Sequence, residues 1–396
     1  MDASAAEKAY KPDREGRKEP VVVGLSGGVK SYVTASLLKI QKYEVIGVTV
    51  QNEPQGFQAS LDKVVRCHAS DQKLDEIRLF CRSLGIPHFV VKSGAEFQET
   101  VVETWKSSRI QGTLARQCRL CHVMRLRILH REMLRLGVHK LATGHLGKIF
   151  VQNESIFLRS SNDEKHDQSG LLSELPEPIL RSLLLPLSDL QYAEILRLAE
   201  NFAIMNNSHE LTSCFPASDP VNEFLEKTIP PGIRKPGSLV IKDEDKFDDH
   251  EGVQNYIYGE PISPKDSHDE HVFIDYKASA KEIILGTSAD FLTDDFFIAC
   301  DNISDTTALT EPSTGYVRLK DGEVECWLSP KNLGRIHVKL SEKKRILTGS
   351  TLSLFRRPGR NSKLIVTGRV TGAIRVEDEA DESSEEKLPT QTQYSR

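Results

Sequence analysis

Two short stretches of the chain carry residue types that could do chemistry together. The first is Ser26-Gly27-Gly28-Val29-Lys30-Ser31, which follows a β-branched run and opens a segment of helical periodicity. Successive backbone N–H groups in a Gly-rich turn form a concave donor site, and the helix behind adds positive potential, so such a turn suits an anion. Gly27 and Gly28 admit close approach of phosphate oxygens, while Ser26 and Ser31 offer hydroxyl donors. Glycine in a tight strand-to-helix turn can also be purely steric; the position between strand and helix is what favours the anion. The second stretch is the CxxC of Cys118 and Cys121, which heads an amphipathic segment. Val123, Leu126, Leu129, Met133 and Leu136 form its apolar stripe, and Arg127, Arg131 and Arg135 recur every four residues on another face. A thiol at a helix start amid arginines is biased towards thiolate and is a usable nucleophile. The plainer reading is a small core residue followed by a solvated Arg face.

These residues need a scaffold, and the pattern around them supplies one. Val21–Gly24 reads as a strand, Val29 to about Gln41 as a helix, and Glu44–Val50 as a second strand. Leu74, Ile77, Phe80, Cys81 and Leu84 recur at helical spacing, closed by Gly85 with Pro87 beyond, and Phe89–Val91 and Lys140–Thr143 are further short strands. Such alternation predicts a parallel sheet covered by helices over residues 20–150, with ligands at the strand C-termini. Residues 151–230 read as a helical connector, in which Ser188 and Gln191 match a capping box for a helix to about Phe202. Pro230, Pro231, Gly232, Pro236 and Gly237 mark a break. The rest of 231–376 reads as a turn-rich linker to about residue 270 and a small β-barrel from His271 to Ile374. Residues 1–19 and 377–396 read as disordered tails, the second acidic.

Composition narrows the class. With 396 residues, 38% hydrophobic and 28% charged, the chain has the makings of two or three soluble domains. The densest apolar run, Ile179–Leu187, is interrupted by Arg181 and Pro186, so no bilayer span is expected, and Met1–Pro20 has no leader-like core. Seven cysteines, an odd number at low density, argue for a reducing, cytoplasmic setting in which the CxxC is catalytic or metal-binding. The net charge of −5 resides in the last twenty residues; the body is neutral but segregated. Lys106–Lys148 holds ten Lys or Arg against Glu132 alone, Ser329–Arg369 eleven against Glu342 alone, and Lys242–Asp275 eleven acids against three bases. Two basic blocks suit a polyanion such as RNA, although charge runs are usually just solvated faces.

The hexad fits two nucleotide motifs. A Walker loop, G-x-x-x-x-G-K-S/T, would align Gly24 with Lys30 and Ser31 but requires glycine where Val29 stands. The SGGxDS loop of PP-loop ATP pyrophosphatases fits everywhere except Lys30. Context favours the second, because the chain resembles the tRNA-specific 2-thiouridylases over about 350 residues. The resembling stretches run in order: Val21–Ser31, Tyr43–Val50, Cys67 with Asp71, Asp75 and Leu84-Gly85-Ile86-Pro87, the Cys118–His122 block, and Ala142-Thr143-Gly144-His145. Leu185-Pro186-Leu187, Cys214-Phe215, Lys235-Pro236-Gly237 and His250-Glu251-Gly252 follow. The resemblance implies ATP-dependent adenylation of a uridine in tRNA, followed by sulfur transfer from a cysteine persulfide and release of AMP. It implies Cys121 and Cys214 as the catalytic pair, Cys214 carrying the persulfide, with sulfur from a donor protein or sulfide. Ser26, Gly27, Gly28, Val29, Lys30, Ser31, Val50, Gly144 and His145 would surround ATP and Mg²⁺. Arg119, Arg125 and Arg127 are candidates for RNA phosphates. Cys118 is either a spare thiol or, with Cys121 and Cys214, one of three ligands to a 4Fe–4S cluster with an open iron; for zinc a fourth ligand is wanting, His122 being poorly placed. Cys81 reads as core, Cys300 and Cys326 as structural, and Cys67 carries no assignment.

Several positions depart from the family pattern. Lys30 stands where the family has Asp, a residue able to orient Mg²⁺ or pyrophosphate; Lys is a point cation that meets phosphate directly, either standing in for a metal in part or weakening the ATP chemistry. Arg116-Gln117-Cys118 replace the family's Asn-Pro-Asp, His122 replaces its Asn, and His209–Cys214 lack its Asp-Ser-x-Gly-Ile. Two alternatives therefore stand beside thiolation: a homologue that binds RNA without modifying it, and a PP-loop enzyme adenylating another substrate.

Overall fold

The computed structural model describes residues 19–52, 71–152, 155–204, 219–232, 235–244, 246–262, 271–303, 310–319, 322–331, 334–359 and 362–373. Cys67, Cys214 and most of both expected tails lie outside these residues. The chain starts with β1 (Pro20–Gly24), turns through the Gly-rich hexad into α1 (Val29–Ile40) and returns as β2 (Glu44–Gln51). Next come α2 (Asp71–Leu84) and β3 (His88–Lys92), a helical stretch ending in α3 (Thr104–Ile110), then α4 (Gln117–Arg135) and β4 (Leu141–Ala142). Alternating burial explains the valine run. Val21 and Val23 pack with α1 and α2, while Val22 packs with the apolar side of α4. A strand buried on both faces is apolar throughout rather than alternating.

The region expected to be helical carries strands as well. A hairpin of β5 (Lys148–Gln152) and β6 (Ser155–Arg159) comes first, and β7 (Leu183–Leu184) joins the parallel sheet beside β4. Two residues are too short to show periodicity, so β7 could not be seen in the sequence. The helix expected after Ser188 is α5 (Tyr192–Asn201); its N-cap is Gln191, whose N–H donates to Glu194 Oε2 at 2.7 Å. Ser188 instead lies in a turn, its N–H donating to Leu185 O. The helix α6 (Asp219–Thr228) follows. The sheet order is β3-β2-β1-β4-β7, all parallel, which is the Rossmann-like arrangement expected. Its order reverses between β1 and β4, the place where such sheets hold ligands.

The C-terminal half holds two β bodies rather than a linker and a barrel. The first consists of β8 (Gly237–Ile241), β9 (Lys246–His250), β10 (Pro261–Ile262), β11 (His271–Lys277) and β12 (Glu282–Gly286), ordered β10-β11-β12-β8-β9. The strand β9 is an exposed acidic edge, which is why this stretch reads as a turn-rich linker. The barrel therefore starts at residue 292, not 271. It closes in the order β13 (Leu292–Ile303), β16 (Arg335–Arg345), β15 (Gly322–Lys331), β14 (Ser313–Leu319), β17 (Thr351–Phe355) and β18 (Leu364–Ala373). Cys81 and Cys326 are buried, as expected of packing residues, and Cys300 is half-buried on β13. Among the described residues no helix is long and apolar enough to cross a membrane.

Two motifs from the sequence meet here in one hairpin. Gly237 pairs with His250 across β8 and β9, and His250 Nε2 lies 3.1 Å from Lys281 O. A Cβ on Gly237 would fall 1.9 Å from that same oxygen and 2.8 Å from the His250 ring. Both motifs are accounted for by close strand packing. Gly237→Ala is therefore expected to lower stability by about 1–3 kcal/mol, the usual range for overpacking, read as a reduced urea midpoint and new proteolytic cleavage within residues 237–286.

Candidate active site

The site assembles where β1 and β4 end side by side. Leu25 N–H donates to Val48 O at 2.8 Å, and the Thr49 hydroxyl donates to Leu25 O at 2.9 Å, so the exit of β1 is held to β2. Gly27 then adopts a φ of +76°, which an L side chain resists, and Lys73 of α2 lies against it, 2.4 Å from where a Cβ would be. Gly28 caps α1 in an extended conformation, and among the described residues the one neighbour near its absent Cβ is Ser26 Oγ at 3.5 Å. Protein contacts explain Gly27; the open space at Gly28 suits close approach by a ligand. Ser31 Oγ donates to Gly28 O at 2.8 Å and lies 3.5 Å from Ser26 Oγ, so both hydroxyls stand at the turn.

A cleft of about 300 Å³ opens on this turn. Ser26, Lys30 and Ser31 line it from the loop, Val50 from β2, and Gly144 and His145 from the segment after β4. Gly27, Gly28 and Val29 form the turn behind, Val29 being buried. Helix α4 supplies His122 and Arg125. Gly144 abuts the loop: a Cβ there would meet Lys30 C at 2.7 Å and Lys30 Cβ at 2.8 Å. Lys30 Nζ donates to Gln168 Oε1 at 2.7 Å, an oxygen that also accepts Leu146 N–H at 3.2 Å. Burial pulls the Lys30 ammonium below its ordinary pKa, and nearby Asp163 opposes this. The segment carrying Gln168 is fastened from the barrel: Arg318 Nη1 reaches Asp167 Oδ2 at 3.3 Å and also Ser160 Oγ. Asp167 accepts Ser161 N–H at 2.7 Å and the Ser169 hydroxyl at 2.6 Å.

Helix α4 starts at Gln117, so the cysteines differ in setting. Cys118 is the exposed second residue of the helix, whereas Cys121 lies in its second turn and is 6% exposed. The expected position of Cys121 at an open helix start is thus taken by Cys118. The buried set is also wider than the expected stripe, with Cys121, Met124 and Ile128 enclosed while Val123 and Leu136 are half-buried. The reason is that α4 packs against both the sheet and the segments near residues 169–182. Cys121 Sγ lies 3.4 Å from the side-chain amide of Asn52. That amide is oriented with its oxygen accepting from Arg125 Nε and Nη2, both at 2.9 Å, and its nitrogen donating to Ser93 Oγ at 2.7 Å. Sulfur, amide and guanidinium therefore form one contact chain that ends in the cleft.

The expected RNA-facing arginines divide. Arg119 pairs with Glu174 and donates to Gly170 O at 3.0 Å, Arg125 is held by Asn52, and Arg127 is exposed with no ion pair among the described residues. Arg131 and Arg135 pair with Glu96 and Glu132. Two metal expectations meet different outcomes. Among the described residues no carboxylate lines the cleft, so the donor set does not fit Mg²⁺ held by protein ligands. Cys118 and Cys121 join no described group of three or more His, Cys, Asp or Glu able to hold a metal; the third thiolate of a 4Fe–4S cluster, Cys214, is outside the described residues. Sequence reasoning missed Gln168, Asn52 and Lys73, which reach the site from distant segments and carry no spacing signal.

Residues 19–215 match the family described as tRNA methyl transferase HUP domain. The tRNA-specific 2-thiouridylase of Desulfitobacterium hafniense is 32% identical over 276 residues, 68% of this chain and 73% of its own. That of Clostridium beijerinckii is 28% identical over 375 residues, 90% of this chain and 99% of its own. Among solved structures, a 4-thiouridine synthetase in complex with RNA and ATP shows a faint likeness, with a TM-score of 0.35 at 15% identity over 54% of this chain and 52% of that one.

The two cleft histidines stack edge to face, ring centroids 4.7 Å apart, with His145 Nδ1 2.8 Å from Thr143 Oγ1. Burial, then Arg119 and Arg125, push His122 down to about pKa 4; burial, then His122 and Lys30, push His145 well below its ordinary value. Both rings are neutral when folded. Below the ordinary value of 6.5 the unfolded chain gains protons that folded His122 refuses until about 4, so stability is full above that window and falls as pH drops through it. His122→Asn should flatten the fall in urea midpoint between those two pH values relative to the wild type.

Proposed function

The chain belongs to the tRNA-specific 2-thiouridylase family, and from that premise we propose that it uses ATP to replace the C2 oxygen of a tRNA uridine by sulfur. One observation carries the reading: the Gly-rich anion loop and the helix bearing Cys121 open on a single cleft, with Cys121, Asn52 and Arg125 in contact behind it. The loop amides, Ser26, Ser31 and Lys30 orient the triphosphate so that uridine O2 attacks the α-phosphorus, the bond to the β-phosphate oxygen breaks and pyrophosphate leaves. Cys214, whose thiolate takes the outer sulfur of a donor protein's persulfide and releases the donor's thiolate, attacks C2 through the outer sulfur of its own persulfide. The Cys121 thiolate then attacks the inner sulfur; the S–S bond breaks, AMP departs with the C2–O electron pair, and a Cys121–Cys214 disulfide remains. A thiol reductant restores both cysteines, as a cytoplasmic setting allows. Cys118, exposed one turn earlier, is a spare thiol in this scheme.

Arg127 is the proposed phosphate contact on α4, Arg119 and Arg125 being held within the protein. A second cavity, of about 810 Å³, lies between α3, the β8–β12 sheet and the barrel; its lining includes Arg369 of the second basic block, with Asp275 and with Arg116, which is paired with Glu174. Phosphate contacts at Arg127 and Arg369 would make tRNA binding weaken with salt.

Release of pyrophosphate and AMP is measured with unmodified tRNA, ATP, a persulfide-bearing sulfur donor and a thiol reductant. The full chain should release both and form thiouridine. Cys121→Ser should abolish thiouridine while tRNA-dependent pyrophosphate release persists within about threefold, since adenylation precedes the cysteine step. Binding of tRNA without either product would leave an RNA-binding homologue, and pyrophosphate release without RNA would indicate another adenylated substrate.

A further inference from the structure

We propose that Lys30 takes the place of a divalent cation at the phosphate loop, so that the cleft binds a nucleoside triphosphate in its metal-free form. The inference rests on the reading of this cleft as a nucleotide site and goes beyond it by fixing the ionic form of the ligand.

The described lining sets the charge. Lys30 and Arg125 are its cations, His122 and His145 are half-buried rings, and Ser26, Ser31, Thr143 and Gln168 contribute uncharged polar groups; no described carboxylate faces the space. The carboxylate that acts on the ammonium from a distance, Asp163, is engaged elsewhere, accepting His166 N–H at 3.1 Å and Tyr192 N–H at 2.8 Å. A triphosphate without metal carries two more negative charges than its Mg²⁺ complex. A cleft with two fixed cations and no anion therefore favours the free form, and a bound Mg²⁺ would stand against an ammonium and a guanidinium without a carboxylate to hold it.

The ammonium is also fixed in place. Gly144 packs on the Lys30 backbone, and Gln168 Oε1 receives the Lys30 Nζ at 2.7 Å. Among the described residues a single neutral acceptor leaves this half-buried ammonium short of compensation, and an anion would supply it. A separate group points to a ligand: His122 Nε2 is buried without a hydrogen-bond partner among the described residues, on a side chain that lines the same cleft. The ring is neutral and, in either tautomer, one of its nitrogens can bond the bound molecule.

The test is titration calorimetry of ATP into the full chain, in EDTA and in excess Mg²⁺. The wild type should bind at least as tightly in EDTA as in Mg²⁺. Lys30→Gln should weaken binding at least tenfold in EDTA. Lys30→Asp should bind at least tenfold more weakly in EDTA than in Mg²⁺, which inverts the order of the wild type. Wild-type binding that requires Mg²⁺, or Lys30→Gln binding as the wild type does, overturns this inference and leaves the nucleotide reading standing. No binding in either buffer overturns both.

Discussion

The site depends on one strand being shared. In β1, Val22 and Val23 pair with Ile46 and Gly47 on one side and with Leu141 and Ala142 on the other. The parallel pairing brings the C-terminal ends of β1, β2 and β4 to one edge of the sheet, so three unrelated loops face one space. The start of the hexad is held beside β2, because Leu25, the first residue after β1, is tied to Val48 and Thr49. It cannot move towards β4 either, because Gly144 already fills that side. The turn is held open by packing, before any ligand is considered.

Charge follows the same economy. The arginines of α4 look like an uninterrupted positive face in the sequence, yet Glu174, Glu96 and Glu132 neutralise most of that face locally. What is left positive is concentrated at the cleft and on the exposed Arg127. The cleft combines cations with neutral histidines kept from titrating by burial. It is a site whose electrostatics favour an incoming anion without relying on the bulk charge of the protein.

The nucleotide-binding half was legible because its signals are local. Val21–Gly24, the hexad and the helix after it announce themselves through composition and periodicity, and Cys81 shows its burial by its place in the apolar pattern. The remaining features depend on distant partners. Gln168 serves Lys30 across 138 positions, Asn52 reaches Cys121 across 69, and neither has a neighbour that marks it. The mixed sheet was missed for a different reason: β9 is acidic and exposed on an edge, so it looks like linker. Cys121 itself was placed one turn too early because the helix begins at Gln117 rather than near the second cysteine.

The reach of Arg318 from β14 to Asp167 has a bearing on how this architecture can change. Asp167 is the immediate neighbour of the glutamine that accepts from Lys30, so the far body of the molecule acts as a brace on the Gly-rich turn. A fragment trimmed to its α/β half would lose that strut while keeping every described residue that lines the cleft. Modularity in the diagram is therefore not independence in the object: barrel and turn must be inherited, shortened or exchanged as a unit.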